Sequence, residues 1–325
     1  VIKVLDTPWH IVHNRRLMSI PWMHVYLFDP AGRQFWKERH RPRPEEMPNF
    51  GGWVRRYDPG EYDLIVLHLD NWCAGGPSEL RAAPYRYLTS LIPSDDPTPQ
   101  VVICHGRPND NLNRVRTVQM LEGRWLVLNS HIARAEWRYP WSEAIWHGYQ
   151  VDEWPQAHFE ETNPYALTVC SGGDLSRFYH GIPIIERLKR DVPRFFWLGT
   201  RGDFKCSSFD QYREVLRRAR CYVHTTQWAP MSGARTEAML CGVPVVTTAM
   251  DDEACFLVDG ENAFVTNDYT EMRERVQQLL KDDQLAQRIG QAGRETVRRL
   301  FSVEAYAGRW AAFLQDRVGI GGIDG

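Results

Sequence analysis

Residues 222–246 read YVHTTQWAPMSGARTEAMLCGVPVV, and this stretch limits the fold more tightly than any other in the chain. A β-branched run over 222–226 leads into a turn-rich segment over 229–233. A short helical pattern over 234–240 follows, then a second apolar run over 243–247 introduced by Cys241 and Gly242. In that order the loop falls at the carboxyl edge of a parallel sheet, where the helix offers free N–H groups and a partial positive charge. An anionic ligand is its natural occupant. Ser232 or Gly233 can cap the helix, with Ala234 next in line, and leave room for a phosphate. Glu237, one turn further in, can face a polyol, because a carboxylate accepts two hydrogen bonds from a vicinal diol. The competing reading makes it a surface carboxylate on a βαβ crossover.

The same alternation runs through the chain. Apolar runs over 2–5, 23–28, 63–69, 101–104, 126–129, 144–146, 165–170 and 195–199 are separated by helical or irregular connections, the pattern of doubly wound α/β proteins. Ligands of open α/β sheets bind beyond the carboxyl ends of strands, so His68, Asp70, His105 and Arg107 converge on one crevice. His10 and His13 are spaced to share a helical face just after the first run. Residues 36–56, rich in Arg, Pro and Trp, read as a long surface excursion, since prolines at this density break regular structure. Its Arg39, Arg41, Arg43, Arg55 and Arg56 either clamp an anionic acceptor or belong to a solvated loop. The polar, proline-bounded residues 153–164 read as a linker between domains. After the run over 165–170 comes SGGDLSRFYHG, whose Gly172 and Gly173 suit close backbone approach to a diphosphate. Residues 209–220, 270–280, 283–300 and 301–318 read as helices.

A chain of 325 residues is long enough for two domains with separate cores. A net charge of −2 gives no global basic field for nucleic acid, and no apolar run has the length of a bilayer span. The first 13 residues lack the build of a signal peptide, and the odd, dispersed set of seven cysteines fits reduced thiols in a cytoplasmic protein. No Asp-x-Asp cation motif is present in the crevice residues, so no metal is required by this reading.

TEAMLCGVPVVTT resembles the donor-site signature of the retaining glycosyltransferases of family 4, which have the GT-B fold. The resemblance implies that Glu237 binds the nucleotide ribose; where the family carries a first glutamate, this chain has Ala229. VVICHGRP resembles the family's strand ending in a histidine near the reacting carbon, which makes His105 its counterpart. SGGDLSRFYHG resembles a Gly-Arg, five residues, Lys-Gly segment whose basic residues hold the diphosphate. Aligned on Gly181, it puts His180 at the lysine and Asp174 at the arginine, with Arg177 available to supply the missing charge.

The architecture so implied is α/β, two Rossmann-like domains with parallel sheets facing a central cleft. Residues 1–155 form the acceptor domain and 164–302 the nucleotide-sugar domain, while 303–325 are a helix bracing the first domain, with a tail. The implied reaction moves a sugar from a nucleotide-diphosphate sugar to a hydroxyl acceptor with retention. His105 and Arg177 are then catalytic. Gly172, Gly173, His180, Ser232, Gly233, Ala234 and Glu237 bind the donor, and His10, Asp70 and Arg107 the acceptor. The acceptor stays open between a saccharide, a lipid and modified DNA such as a hydroxymethylated base; a non-catalytic nucleotide-sugar-binding module is the rival reading.

Overall fold

The computed structural model describes residues 1–8, 11–32, 42–69, 83–93, 95–159, 164–170 and 178–323. The chain divides into two compact units, one made of residues 1–149 and 303–325, the other of residues 150–302.

Unit 1 is built on a seven-stranded, all-parallel sheet of β1 (Ile2–Asp6), β2 (Met23–Phe28), β3 (Phe50–Val54), β4 (Leu64–Leu69), β5 (Gln100–Cys104), β6 (Trp125–Leu128) and β7 (Ser142–Ala144). The strand order is β3-β2-β1-β4-β5-β6-β7. Helices α1 (Ile11–Met18), α2 (Ala83–Leu91), α3 (Asn111–Leu121) and α4 (His131–Trp137) connect the strands. β4 reads LIVLHL and is buried along its whole length, as a central parallel strand covered on both faces must be. Successive residues of a strand feed opposite cores: Val4, Val66 and Val101 pack with Leu17 and Met18, whereas Leu5, Leu67 and Val102 pack with Leu88, Leu121 and Trp137.

Two sequence expectations change here. Within residues 36–56 the chain forms a strand, β3, paired in parallel with β2 at the sheet edge. Phe-Gly-Gly-Trp-Val concealed it, because two glycines weaken the strand pattern while an edge position tolerates them. The last strand covers Ser142–Ala144 rather than 144–146, since the ladder with β6 ends at Ala144.

Unit 2 holds a five-stranded parallel sheet in the order β12-β11-β10-β8-β9. Its strands are β8 (Ala166–Val169), β9 (Phe195–Leu198), β10 (Cys221–His224), β11 (Val245–Thr247) and β12 (Phe264–Val265). Its helices are α5 (Ile182–Asp191), α6 (Phe209–Arg218), α7 (Gly233–Leu240), α8 (Tyr269–Lys281) and α9 (Asp283–Phe301). Ser208, Ser232, Asp268 and Asp282 each cap the helix that follows by accepting from a first-turn N–H. The described start of the stretch read as a linker, residues 153–159, packs onto this unit: Trp154 is buried edge-on against Phe209, and Ala157 N–H donates to the Cys241 carbonyl at 2.7 Å.

The final helical pattern does not start at Phe301. Ser302 is extended at φ −65°, ψ 164°, which ends α9 and opens α10 (Val303–Phe313). Tyr306, Trp310 and Phe313 of α10 lie in the core of unit 1. Gly148 makes room for this return, because a Cβ there would stand 2.5 Å from Tyr306.

Candidate active site

The strand order of unit 1 reverses between β1 and β4, the point where open α/β sheets leave a crevice. Three side chains meet there in a hydrogen-bonded row. Asp6, the last residue of β1 and fully buried, accepts from Thr7 N–H at 2.7 Å, from the Asn14 amide at 2.6 Å and from His68 Nε2 at 2.7 Å. His68 sits on β4, and its Nδ1 lies 2.7 Å from Nε2 of His105, just beyond β5. The chemistry orders the protons. A carboxylate only accepts, so His68 carries its proton on Nε2; its Nδ1 then accepts from the Nε2–H of His105. A neutral His105 so held has its lone pair on Nδ1.

Around this row the imidazoles crowd. His13 of α1 meets His105 at 4.2 Å between ring centroids and His147 at 4.7 Å, both edge-on. His13 and His147 are buried, while His105 is half-buried. The loop after β5 is pinned by Trp137 Nε1–H, which donates to the Gly106 carbonyl at 2.8 Å. Arg107 is buried as well, and its Nε donates to Glu136 of α4 at 2.7 Å. Its guanidinium is thus engaged by a carboxylate of the same unit. His10 and Asp70, the other acceptor candidates, lie outside the described residues.

In unit 2 the order reverses around β8, with β9 on one side and β10 on the other. Gly172, Gly173 and Arg177 lie outside the described residues, as does Asp174. Gly181 caps α5 at φ +65°, and a Cβ on it would come within 1.9 Å of the Thr225 carbonyl, so the approach of β10's loop requires glycine. His180 beside it is half-buried; its carbonyl accepts from Thr225 Oγ1 at 2.9 Å, and burial pushes the imidazole pKa below its ordinary value.

The first turn of α7 is occupied by the chain itself. Ser232 Oγ accepts from Arg235 N–H at 3.3 Å, and Ser232 N–H donates to Asp251 Oδ2 at 3.2 Å. Arg235 is fully buried, with Nη2 at 2.9 Å from both oxygens of Asp251. Burial opposes ionisation of Asp251, but the Arg235 charge outweighs it and holds the carboxyl below the usual range. Arg235 Nε and Nη1 find no hydrogen-bond acceptor among the described residues. His224, at the end of β10, is buried nearby; desolvation first, then the Arg235 charge, lowers its pKa to about 3. It is a neutral imidazole at ordinary pH, 3.2 Å from Thr247 Oγ1. The Ser232 N–H is therefore already engaged by a carboxylate whose charge Arg235 balances. Glu237 is buried one turn on and accepts from the Tyr212 hydroxyl of α6 at 2.5 Å.

Several of these residues escape the sequence reading. Asp6 and His147 each carry a signal, a polar residue closing an apolar run, but Asn14 carries none beyond its type. Arg235 and Asp251 are not singled out by the sequence, although Arg235 lies in a helix whose other residues are mostly apolar. Among the described residues no group of three or more His, Cys, Asp or Glu side chains is placed to hold a metal ion. No helix there is long and apolar enough to cross a membrane.

Residues 204–296 match the family described as glycosyl transferases group 1, a span that takes in α6, α7 and the whole Arg235–Asp251 region. The chain is 26% identical over 123 residues to the lipopolysaccharide core biosynthesis glycosyltransferase LpsE of Rhizobium meliloti, covering 37% of this chain and 36% of that protein. It is 34% identical over 79 residues to trehalose synthase of Pyrococcus horikoshii, covering 24% of this chain and 19% of that one. The alignments thus span about a third and a fifth of these relatives. Among solved structures, HepE of Anabaena in complex with UDP and glucose superposes with a TM-score of 0.67 at 14% identity, over 97% of this chain and 100% of that one. Sucrose-phosphate synthase of Thermosynechococcus elongatus gives 0.66 at 15% identity, over 98% and 99%. The fold is that of the GT-B glycosyltransferases, with two Rossmann-like parallel-sheet units.

Proposed function

We propose that this chain transfers a sugar from a nucleotide-diphosphate sugar to a hydroxyl acceptor, with retention at the anomeric carbon. The observation that carries the reading is Glu237, buried on the helix after β10 inside the segment that matches the group 1 family. HepE was solved with UDP-glucose, which favours a uridine donor here. On this reading unit 2 takes the donor through Glu237 and the glycine pair 172 and 173, and Arg177 holds the leaving diphosphate. Unit 1 takes the acceptor, and the Asp6–His68–His105 row fixes the orientation of the imidazole offered to it. Retention follows when the acceptor attacks from the face on which the diphosphate departs, with donors aimed at the departing charge. The proposal requires no metal, so chelator leaves turnover unchanged.

The rival is a module that binds nucleotide sugar without turning it over. The Asp251 carboxylate on the α7 N-terminus favours it, because it already takes the Ser232 N–H that a diphosphate there would use. Incubating the protein with UDP-, GDP- and ADP-sugars separates the two. A donor that raises the melting temperature and releases its nucleoside diphosphate when an acceptor is added supports transfer; a stabilising ligand that is never consumed supports the module. Glu237→Gln weakens the stabilising nucleotide by about 1–3 kcal/mol if the carboxylate holds the ribose, the range for a charge-assisted hydrogen bond. Unchanged affinity in a folded variant removes Glu237 from the donor site.

A further inference from the structure

The strand order of unit 2 puts β8 between β9 and β10, so the chain leaving β8 moves to one side of the sheet and the chain leaving β10 to the other. Right-handed crossovers then set α5 and α7 on opposite faces, and the two connections diverge over a crevice. Residues 178–181 end the first connection, and residues 225–232 form the second. Backbone bonds tie them together: the Tyr179 carbonyl accepts from the Gln227 N–H at 2.7 Å and from the Trp228 N–H at 3.3 Å. The Tyr179 and Trp228 rings lie against each other at 4.8 Å between centroids, tilted by 35°. Phe178 adds a third ring, edge-on to Tyr179 at 6.1 Å and exposed by 72%.

Rings that only staple two loops bury their faces, whereas Tyr179 and Trp228 are half-buried and Phe178 stands in solvent. The polar groups beside the rings are uncharged and underused. The Tyr179 hydroxyl and the Gln227 amide oxygen find no partner among the described residues, while the Gln227 amide nitrogen donates to the Thr225 carbonyl at 3.2 Å. No Asp, Glu, Lys or Arg occurs in 178–181 or 225–232. His180 is kept from protonation by its burial, and Asp251, at the far end of the second connection, is balanced by Arg235.

Neutral hydroxyl and amide groups at the rim of a ring cluster suit a pyranose, whose C–H bonds meet the electron-rich ring faces while its hydroxyls meet the rim. An aliphatic partner leaves the rim groups unpaired, and an anionic one finds no cation on these two stretches.

We propose that Phe178, Tyr179 and Trp228 form the platform for the transferred sugar, and that this sugar is an uncharged hexopyranose. The inference rests on the donor reading given above and deepens it. Glu237 lies on α7, whereas the rings gather before α5 on the other side of the crevice. A donor with its ribose at Glu237 crosses the crevice and brings the group beyond its diphosphate to the rings.

The test is isothermal titration of the full chain with matched pairs: UDP and UDP-glucose, GDP and GDP-mannose, ADP and ADP-glucose. For whichever pair binds, Phe178→Ala and Trp228→Ala are each expected to weaken the nucleotide sugar about five- to tenfold, the scale of one lost ring contact, and to leave the nucleoside diphosphate unchanged. Phe178 is exposed, so its variant is expected to keep the parent's melting temperature. Trp228→Phe keeps a ring and is expected to restore most of what Trp228→Ala loses. The uronate form of the same donor is expected to bind about tenfold more weakly, because its carboxylate loses water without gaining a cation. Equal losses for nucleoside diphosphate and nucleotide sugar assign the rings to the base, a rise confined to the acceptor's KM assigns them to the acceptor, and unchanged affinities leave them as packing; each overturns the platform. A uronate bound as tightly as the hexose overturns the neutral class. A parent that binds none of the six nucleotides overturns the donor reading itself, and the platform with it, an outcome distinct from a parent that binds and variants that do not differ from it.

Discussion

The carboxyl edges of the two sheets solve the same problem in opposite ways. In unit 1 a buried carboxylate is neutralised by hydrogen bonds alone, from a backbone amide, a side-chain amide and an imidazole, and the row it starts ends on a half-buried His105. In unit 2 a buried carboxylate is neutralised by a full cation, and the pair closes on itself with no part of Arg235 exposed. The first arrangement runs from a fully buried carboxylate to a half-buried imidazole; the second holds its carboxylate between a buried cation and the Ser232 N–H of a helix terminus. Polar burial at a sheet edge is therefore not by itself a sign of chemistry, and what matters is where the row ends.

The largest expected effect tests the sealed edge. Arg235→Met leaves Asp251 buried without its cation and is expected to cost about 3–5 kcal/mol of folding stability, as for other broken buried pairs. Replacing both partners by apolar residues of similar size recovers most of that loss. A single variant as stable as the parent in urea unfolding means the pair is solvated, and the contrast with unit 1 disappears.

Next in size is the open edge. His105→Ala is expected to cut turnover on the order of a hundredfold, the range for a positioned acid–base or hydrogen-bonding group. Nucleoside-diphosphate affinity and melting temperature stay near the parent's. His68→Phe follows the same direction with a smaller fall, because the ring of His105 loses its partner but keeps its place. Equal losses of turnover and stability in both variants make the row structural.

The smallest effect compares the imidazoles by pH. Folded His224 takes up a proton only near pH 3, against an ordinary value of 6.5, so the unfolded chain binds more protons anywhere between. Stability contributed by the neutral ring is complete above about pH 6.5 and falls as the pH drops toward 3. By linkage the loss between pH 7 and pH 5 is about 2 kcal/mol. His224→Phe has no such ring to protonate, and its stability profile is expected to be flatter by that amount; an unchanged slope assigns the pH dependence to other groups.

How much of this the residues foretold depends on what sets each feature. Parallel strands such as LIVLHL and the β10–α7–β11 unit are written in local pattern, because burial on both faces and a helical period leave marks within a few residues. β3 was not, since its pairing with β2 compensates for two glycines and only the neighbouring strand makes that visible. The site was legible to the level of strand ends. His68 and His105 stand at the ends of β4 and β5, and Glu237 lies in the helix that follows β10. The partnerships were not legible: Asp6 lies 62 residues from His68, and Asp251 lies 16 from Arg235, so nothing local joins them. Arg107 shows the reverse, a strand-end cation whose carboxylate, Glu136, comes from a helix 29 residues on.

The return of α10 to unit 1 bears on the order in which the molecule can be made. Residues of 303–325, Trp310 and Phe313 among them, complete a core whose remaining members lie before residue 150, and the 150–302 stretch separates the two sets. At a synthesis rate of about 5–20 residues per second, a ribosome needs on the order of ten to thirty seconds to cross that stretch. During that interval the apolar floor beneath Val4, Val66 and Val101 lacks its closing helix, whereas unit 2, continuous in sequence, is complete before that helix has been made. The half that begins first is finished last, and for those seconds the nascent chain offers an uncovered aliphatic face to chaperones.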